Sequence, residues 1–242
     1  MSEPSPVFYH RGDDPQLLEA SERARLAFRF FWHQVALDFN RVVPALSLAC
    51  LKAPFSDDFS DPDAPVEHMW LGAISWDGVH VSAGLLNEPN QLTSVKAGDR
   101  VAIPLAQLSD WLLLLGGDLC GAFTIQVMRA HMGPQQRREH DEAWGLPFPA
   151  PEVVRVPPLN DTFQGVIAGL IEEQISKDPA IVTTTYEAGH TLLHREALYG
   201  RLPSVRLLLE HGAQRDARCD RGWTARQYAE ATGWEEIAAV LA

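Results

Sequence analysis

The sequence predicts two structural classes in one chain: an α+β region with a mostly antiparallel sheet, followed by an all-α array of helical repeats. The α+β prediction rests on segments of alternating apolar residues, separated by turn sequences and interrupted by segments with helical periodicity. The repeat prediction rests on a sequence pattern near the carboxyl end that recurs after 33 residues.

The first elements are a helix and three strands. Asp14-Pro15 provides a helix N-cap and a first helical residue. Residues 45–55 alternate in polarity as a strand does, and residues 67–76 alternate again. Asp77-Gly78 then predicts a tight hairpin turn, because such turns need positive φ angles, and residues 79–86 return as the partner strand.

The next segments are less regular. A short strand is expected at residues 100–103, followed by a helix over residues 104–115 that ends at Gly116-Gly117. Residues 123–132 fit either a strand or a helix, and residues 135–144 fit a polar helix.

These patterns predict three parts of the chain. The α+β domain is expected over residues 14–149, a Pro-rich linker over residues 150–160, and the helical repeats over residues 161–242. Within the repeats, residues 189–221 form a full unit and residues 222–242 form a capping unit. An incomplete first unit is expected before residue 189.

Composition argues against a nucleic-acid-binding protein. The chain has 242 residues and a formal net charge of −12. Seven Arg and seven acidic residues balance from Gly189 onward, so the whole net charge lies before that residue. An acidic protein repels nucleic-acid phosphates and favours basic partners. A simpler interpretation is that the acidic residues only keep the protein soluble.

The sequence has no sign of secretion, membrane insertion or a metal site. Met1–His10 lacks the basic and apolar regions of a signal peptide. The longest apolar run, Trp111–Leu115, is far too short to span a bilayer. The three cysteines are far apart and form no C-x-x-C pair, which argues against disulfide scaffolds and zinc sites. We therefore expect a cytoplasmic protein without a cofactor.

The repeat signal consists of glycines and short polar-apolar motifs at matching positions. Gly189 and Gly222 open two successive units, and the same spacing relates Gly200 to Gly233. The residues that we expect to shape these units are Gly189, Thr191, His194, Gly200, Gly212, Gly222, Thr224 and Gly233. His194 is expected to bond between turns of the structure and not to act as a catalyst.

Residues 189–222 resemble an ankyrin repeat. They carry the Thr-x-Leu-His opening, the glycine between helices and the closing Gly212-Ala213. Leu192 and Glu196 depart from the family pattern, which has Pro and Ala there. The resemblance implies stacked helix pairs and a protein partner. So short an array is also compatible with packing only on the preceding domain.

The region before the repeats resembles the YegJ-like family of bacterial proteins of unknown function. The motifs that carry this resemblance are Lys52-Ala53-Pro54-Phe55, Glu67-His68-Met69-Trp70, Asn87-Glu88-Pro89, Gly98-Asp99 and Ser109-Asp110-Trp111. The resemblance implies an α+β fold, and the family supplies no activity to carry over.

Two groups of residues are candidates for binding or acid–base chemistry. Glu67 and His68 are adjacent on a predicted strand, so their side chains are expected to point to opposite faces. His140, Asp141 and Glu142 lie near the end of a predicted helix, but their spacing is not that of a metal motif. Ordinary strand and surface positions are the alternative for both groups.

The function that these observations favour is a non-enzymatic protein that binds another protein. A sharper form of this hypothesis is an inhibitor or immunity-type protein that masks a basic partner. The alternative is an enzyme or a small-ligand-binding protein with a pocket in the α+β domain near Glu67, His68 and residues 140–142. The sequence does not give the oligomeric state.

Overall fold

The computed structural model describes residues 14–242. The segment Met1–His10, in which no signal peptide is expected, lies outside the described residues. The described helices are α1 (Pro15–Asp38), α2 (Phe123–His131), α3 (Pro134–Trp144), α4 (Asp161–Lys177), α5 (Leu192–Leu198), α6 (Leu202–Glu210), α7 (Ala225–Thr232) and α8 (Glu235–Val240). The described strands are β1 (Leu46–Phe55), β2 (Glu67–Trp76), β3 (His80–Leu85), β4 (Arg100–Pro104), β5 (Asp110–Leu115) and β6 (Asp118–Gly121).

The described strands form one sheet in the order β4-β3-β2-β1-β5-β6. β1 lies at its centre and pairs antiparallel with both β2 and β5. At the middle of β1, Lys52 lies opposite Trp70 on one side and Asp110 on the other. Side chains of directly opposite residues share a face of the sheet, so these three residues lie on one face.

The expected helix over residues 104–115 is wrong. The structure has a single 3₁₀ turn, Leu105–Gln107, and then strand β5, which pairs with β1 and β6. A short apolar run has no polar face to reveal its period, so pairing decides between helix and strand. Gly116-Gly117 forms the turn between β5 and β6, with positive φ at both residues. The ambiguous segment 123–132 is helix α2.

The two faces of the central strands are covered by different elements. On one face, Trp111 donates its indole N–H to the carbonyl of Ala24 in α1 at 2.8 Å. On the other face, Cys50 and Leu112 pack with Ile125 of α2. Both faces of β5 are thus apolar, which explains why its sequence does not alternate.

The chain forms two groups of mutual contacts that are not continuous in sequence. Of the described residues, the first unit consists of 14–27 together with Ala45–Ser75 and Val81–Pro157. The second unit consists of Phe28–Pro44, Trp76–His80 and Pro158–Ala242. The division into domains at residues 149 and 161 stays a prediction.

The second unit has one hydrophobic core built from the repeat helices. Leu193, Val205 and Leu208 of the full repeat are buried with Ala229 and Ile237 of the next one. Each helix pair leaves its apolar face exposed unless a neighbour covers it, so stacking creates this core. The predicted fold class, an α+β region with an antiparallel sheet followed by helical repeats, is confirmed.

The apolar residues of α4 are not all buried. Ile167, Ile171 and Ile175 are buried. Val166 and Leu170, each next to a buried isoleucine in sequence, are about half exposed, at 51% and 54%. The helix therefore has a narrow buried stripe and a second apolar strip in contact with solvent.

Candidate functional site

A polar cluster lies on the first unit's sheet where β1, β2 and β5 meet. It contains Lys52, His68, Ser109, Asp110 and Thr124. Strand pairing brings three of these residues together, because Lys52 faces Asp110 in β5 and Pro54 faces His68 in β2. Thr124 enters from the first turn of α2. We name these five residues the sheet-face cluster.

Asp110 fixes the geometry of this cluster. Its carboxylate accepts hydrogen bonds from the backbone N–H groups of Phe123 and Thr124 at 2.9 and 2.7 Å, and from the Thr124 hydroxyl at 2.5 Å. The carboxylate therefore holds the beginning of α2, where an acidic group also compensates the helix dipole. Burial raises the pKa of Asp110, while Lys52 and the hydrogen bonds from Thr124 oppose that change.

Lys52 is the cation of the cluster. Its ammonium donates to Thr124 Oγ1 at 3.3 Å and lies 5.7 Å from the centre of the Trp70 ring. Desolvation lowers the pKa of Lys52, and the negative charge of Asp110 opposes this.

His68 and Ser109 lie beside Lys52. Ser109 Oγ and His68 Nδ1 share a hydrogen bond of 2.9 Å, and the Ser109 N–H donates to the Lys52 carbonyl at 2.8 Å. His68 is an exposed residue. Partial desolvation of its ring and the charge of Lys52 lower the pKa of His68 to about 4. His68 is therefore neutral at pH 7.

The arrangement differs from a hydrolytic triad. In a triad, the acid orients the histidine that activates the serine. Here the Asp110 carboxylate is committed to α2, and the Ser109 bond uses His68 Nδ1. The cluster is better suited to holding a ligand than to activating a nucleophile.

Glu67 has a different role from its neighbour His68. Its carboxylate accepts backbone N–H groups of Asn90, Gln91 and Leu92, at 2.6 to 3.3 Å. Burial would raise the pKa of Glu67, but these hydrogen bonds outweigh it and the pKa is lowered. Glu67 therefore holds the loop after β3 in place.

In the second predicted group, His140 and Asp141 also hold neighbouring chain in place, whereas Glu142 does not. His140 is buried and donates through Nδ1 to Asp141 Oδ1 at 2.9 Å. Both Asp141 oxygens also accept from the Arg129 guanidinium, at 2.8 and 2.6 Å. Arg129 donates in turn to the Pro149 carbonyl at 2.8 Å, so the network holds the chain that follows α3. Glu142 is exposed.

The structure thus brings His140 and Asp141 together and gives Glu67 and His68 separate neighbours. Trp70 and Trp144, whose ring centres are 5.8 Å apart, belong to the cluster of apolar side chains under α2 and α3. Over residues 14–242, no group of three or more His, Cys, Asp or Glu side chains is placed to hold a metal ion.

His194 connects two repeats in the second unit. Its Nδ1 accepts the backbone N–H of Thr191 at 3.1 Å, and its Nε2 donates to the carbonyl of Trp223 in the next repeat at 3.0 Å. Thr224 caps α7 through Gln227 in a similar way. Gly200 has a φ of +73°, and a Cβ there would overlap the Trp234 ring. These residues shape the repeats.

Segments from earlier in the chain cover part of the repeat unit. Trp32 and His33 of α1 donate to the carbonyls of Leu198 and Tyr199, at 3.1 and 2.9 Å. The hairpin tip, residues 76–80, packs against α7.

Three contacts hold that hairpin tip. Trp76 Nε1 donates to Thr232 Oγ1 at 3.2 Å, and Arg221 forms an ion pair of 2.6 Å with Asp77. A Cβ on Gly78 would overlap the Tyr228 ring, so only glycine allows this approach.

A buried ion pair explains one departure from the ankyrin pattern. Glu196 stands where the family has Ala, and it is fully buried with Arg201 at 3.4 Å. The Arg201 guanidinium also donates to the Ala36 carbonyl and to Asn40 Oδ1, at 2.5 and 2.6 Å. Glu196 therefore compensates a cation that holds the end of α1 in the same unit.

Comparison with known families agrees with these observations. Residues 14–148 match the model of a family described as "Uncharacterized protein conserved in bacteria (DUF2314)". The chain belongs to this family. Residues 175–229 match the model of "Ankyrin repeats (many copies)", so the DUF2314 part is followed by ankyrin repeats. Both resemblances predicted from the sequence are confirmed.

A relative aligns with nearly the whole chain. The chain is 35% identical over 246 residues to a protein of Neisseria meningitidis serogroup B, strain MC58, named "Putative ankyrin repeat protein". The match covers 98% of this chain and 97% of the relative. The ankyrin repeats and this relative support a role in protein interaction. No helix in residues 14–242 is long and apolar enough to cross a membrane.

Sequence reasoning missed four members of the sheet-face cluster as site residues: Lys52, Ser109, Asp110 and Thr124. Lys52, Ser109 and Asp110 belong to the motifs that carry the family resemblance, and that resemblance implies a fold and no activity. The signal that could have found them is a lysine and an aspartate within apolar strands, because charged residues are rarely buried without a reason.

Proposed function

We propose that this DUF2314 protein is a non-enzymatic inhibitor that binds and masks a basic protein partner through the exposed face of α4. The observation that carries the proposal is the strip formed by Val166 and Leu170, which are 51% and 54% exposed. Apolar residues grouped on one face are typical of interaction surfaces.

Two glycines support an interaction at this face. Gly165 and Gly169 are exposed in the middle of α4, and a Cβ at either position would have no atom within 4 Å. Glycine inside a helix costs about 1 kcal/mol relative to alanine. Nothing in the packing of the described residues requires glycine at these two positions. A partner that approaches the helix backbone closely would require it, because a larger side chain would keep the partner away.

The charge around this face favours a basic partner. Glu172 and Glu173 are exposed on the same helix, and Asp161 and Asp178 lie at its two ends. Lys177 is the basic residue of α4, and it is paired with Glu173 at 2.6 Å. The net charge of −12, all before Gly189, adds long-range attraction for a basic protein.

The other surfaces of the repeat unit are partly covered, which also favours α4 as the binding face. Solenoid proteins commonly bind partners with their concave surface. In this chain, α7 and the turns after α5 and α7 already contact α1 and the hairpin tip. Among residues 14–242, no contact of this kind covers Val166 and Leu170 of α4, which are about half exposed.

The experiment is affinity capture with the full chain from extracts of the source bacterium, comparing wild type with Val166→Ser/Leu170→Ser. We expect wild type to retain a basic protein in equimolar amount at 50 to 100 mM salt, where the Debye length is about 10 Å or longer. The double variant should lose it. Leu26→Ser is the matched control, because Leu26 is 72% exposed on α1.

Each outcome decides the proposal. Equal capture by wild type and the double variant would show that α4 is not the binding face. Retention of an acidic partner would contradict the charge argument. A mass by light scattering that shows wild-type dimers and monomeric double variant would assign the face to a second copy of the chain. An inhibitor must also reduce the partner's activity when mixed with it at a one-to-one ratio.

A further inference from the structure

We propose that the sheet-face cluster of the DUF2314 region is a binding site for a carboxylate carried on an apolar body, with Lys52 and the hydrogen-bonded Ser109–His68 pair as the binding groups. This site is separate from the α4 face and goes beyond the proposed protein-binding function.

The first argument is the state of the Lys52 ammonium. An ammonium has three N–H donors. Among the residues that the structure describes, it makes one hydrogen bond, of 3.3 Å, to Thr124 Oγ1. Removing a charged group from water is costly unless it is paired and hydrogen-bonded. The negative charge of Asp110 offsets part of this cost, and an anion that accepts the other two N–H groups would offset the rest.

The second argument is that a lysine, and not an apolar residue, occupies position 52. The chain has 20 basic Lys and Arg residues, of which three are lysines: Lys52, Lys96 and Lys177. Lys96 and Lys177 are exposed, whereas Lys52 lies within the central strand of the sheet. An apolar side chain of similar length would pack at this position without the cost of a charge. The position of Lys52 therefore indicates a binding role.

The third argument concerns the neighbours of the ammonium. Ser109 and His68 share their hydrogen bond at 2.9 Å, and because His68 is neutral, the pair has one further N–H or O–H that can donate to a carboxylate. His68 is an exposed residue, so a ligand can reach this side of the cluster from solvent. Trp70, which lies 5.7 Å from the ammonium, provides an apolar wall for the body of the ligand.

The charge balance selects a carboxylate over a phosphate. The Lys52 charge faces the buried Asp110 carboxylate, which is retained by its own four hydrogen-bond donors. The charges of Lys52 and Asp110 cancel, so a ligand with one negative charge leaves the site with one net negative charge. A phosphate dianion would add a second negative charge near Asp110 without a second cation to receive it.

The experiment is NMR of the full chain labelled at the lysine side chains, which gives three signals. Acetate, benzoate and inorganic phosphate are added separately. We expect benzoate to shift the Lys52 signal in a saturable way and to move its titration midpoint to higher pH, because an anion favours the charged ammonium. The Lys96 and Lys177 signals should not move. Acetate should bind more weakly than benzoate because it lacks the apolar body.

Variants separate a binding role from a structural one. Lys52→Met should abolish benzoate binding measured by calorimetry, while Lys96→Met should bind like wild type. Ser109→Ala should bind about 2- to 12-fold more weakly, which corresponds to one lost hydrogen bond. If Lys52→Met fails to fold, Ser109→Ala and the lysine titration still test the site.

A binding experiment with a short peptide distinguishes a small free acid from the carboxylate at the end of a protein chain. A short peptide with a free terminal carboxylate is compared with its amide, which lacks the charge. Stronger binding of the free peptide than of benzoate would assign the carboxylate to a chain end. A Lys52 signal that responds to no carboxylate at tens of millimolar, or responds more to phosphate, would overturn the proposal. Neither result would bear on binding through α4.

Discussion

Replacement of Glu196 by alanine tests whether the buried ion pair supports the repeat unit. Alanine is the residue of the ankyrin pattern and the best helix former, so sequence comparison alone predicts that Glu196→Ala stabilises the protein. The structure predicts the opposite. Glu196 and Arg201 are both buried, and the substitution leaves the Arg201 guanidinium without its counter-charge.

The size of the effect follows from the surroundings of Arg201. Breaking a buried pair by removing one partner costs about 3–5 kcal/mol. Arg201 keeps the Ala36 carbonyl and Asn40 Oδ1 as acceptors, so we expect the lower end, about 3 kcal/mol. This corresponds to a fall in melting temperature of about 6–12 °C for a chain of this size.

The assay is thermal and urea unfolding of the full chain, followed by circular dichroism. Glu210→Ala is the matched control, because Glu210 is an exposed glutamate on α6 and its removal should change stability by less than about 0.5 kcal/mol. The double variant Glu196→Ala/Arg201→Met should be less destabilised than the sum of its single variants, since no unpaired charge remains. A cost of Glu196→Ala similar to that of Glu210→Ala would refute the reasoning.

Three further predictions concern the first unit and the dependence of stability on pH. Asp110→Asn should cost about 3 kcal/mol in unfolding experiments, because an amide directs its own N–H groups at the donors of α2; an unchanged midpoint would show that Asp110 does not hold that helix. Gly121→Ala should lower the unfolding free energy by more than Gly117→Ala, since both glycines have positive φ but only at Gly121 would the added Cβ overlap the Trp111 carbonyl; equal losses would contradict this. Burial lowers the pKa of His33 below its unfolded value, so the folded state resists protonation and stability should fall as pH decreases from 7 through about 6.5. His33→Leu should make this pH profile flatter, and an unchanged profile would exclude His33 as a source of acid sensitivity.

The sequence predicted elements whose local signals were strong. Asp14 caps α1, with its carboxylate accepting the Gln16 N–H at 2.9 Å, and Asp77-Gly78 forms the predicted turn. Such signals depend on a few neighbouring residues, so the sequence contains them. The segment Asp110–Leu115 was assigned wrongly because its conformation depends on β1, which lies about sixty residues earlier.

The candidate site could be predicted only in part. His68 was identified as a residue of chemical interest, but its hydrogen-bond partner Ser109 is 41 residues away and Lys52 is on another strand. Pairing of β1 with β2 and β5 creates this neighbourhood, and no short-range pattern encodes the register. The same holds for Glu196, whose reason for being charged lies in Arg201 and the carbonyl of Ala36.

The sequence by itself determined the two structural classes, the order in which they occur and the 33-residue period of the repeats, because periodicity and turn chemistry are local properties of the chain. Only the tertiary structure decided which polar residues meet, which apolar residues of α4 face solvent, and which segments share a core with the repeats. These features depend on contacts between residues far apart in sequence, and burial and charge pairing act on such neighbours without regard to chain order.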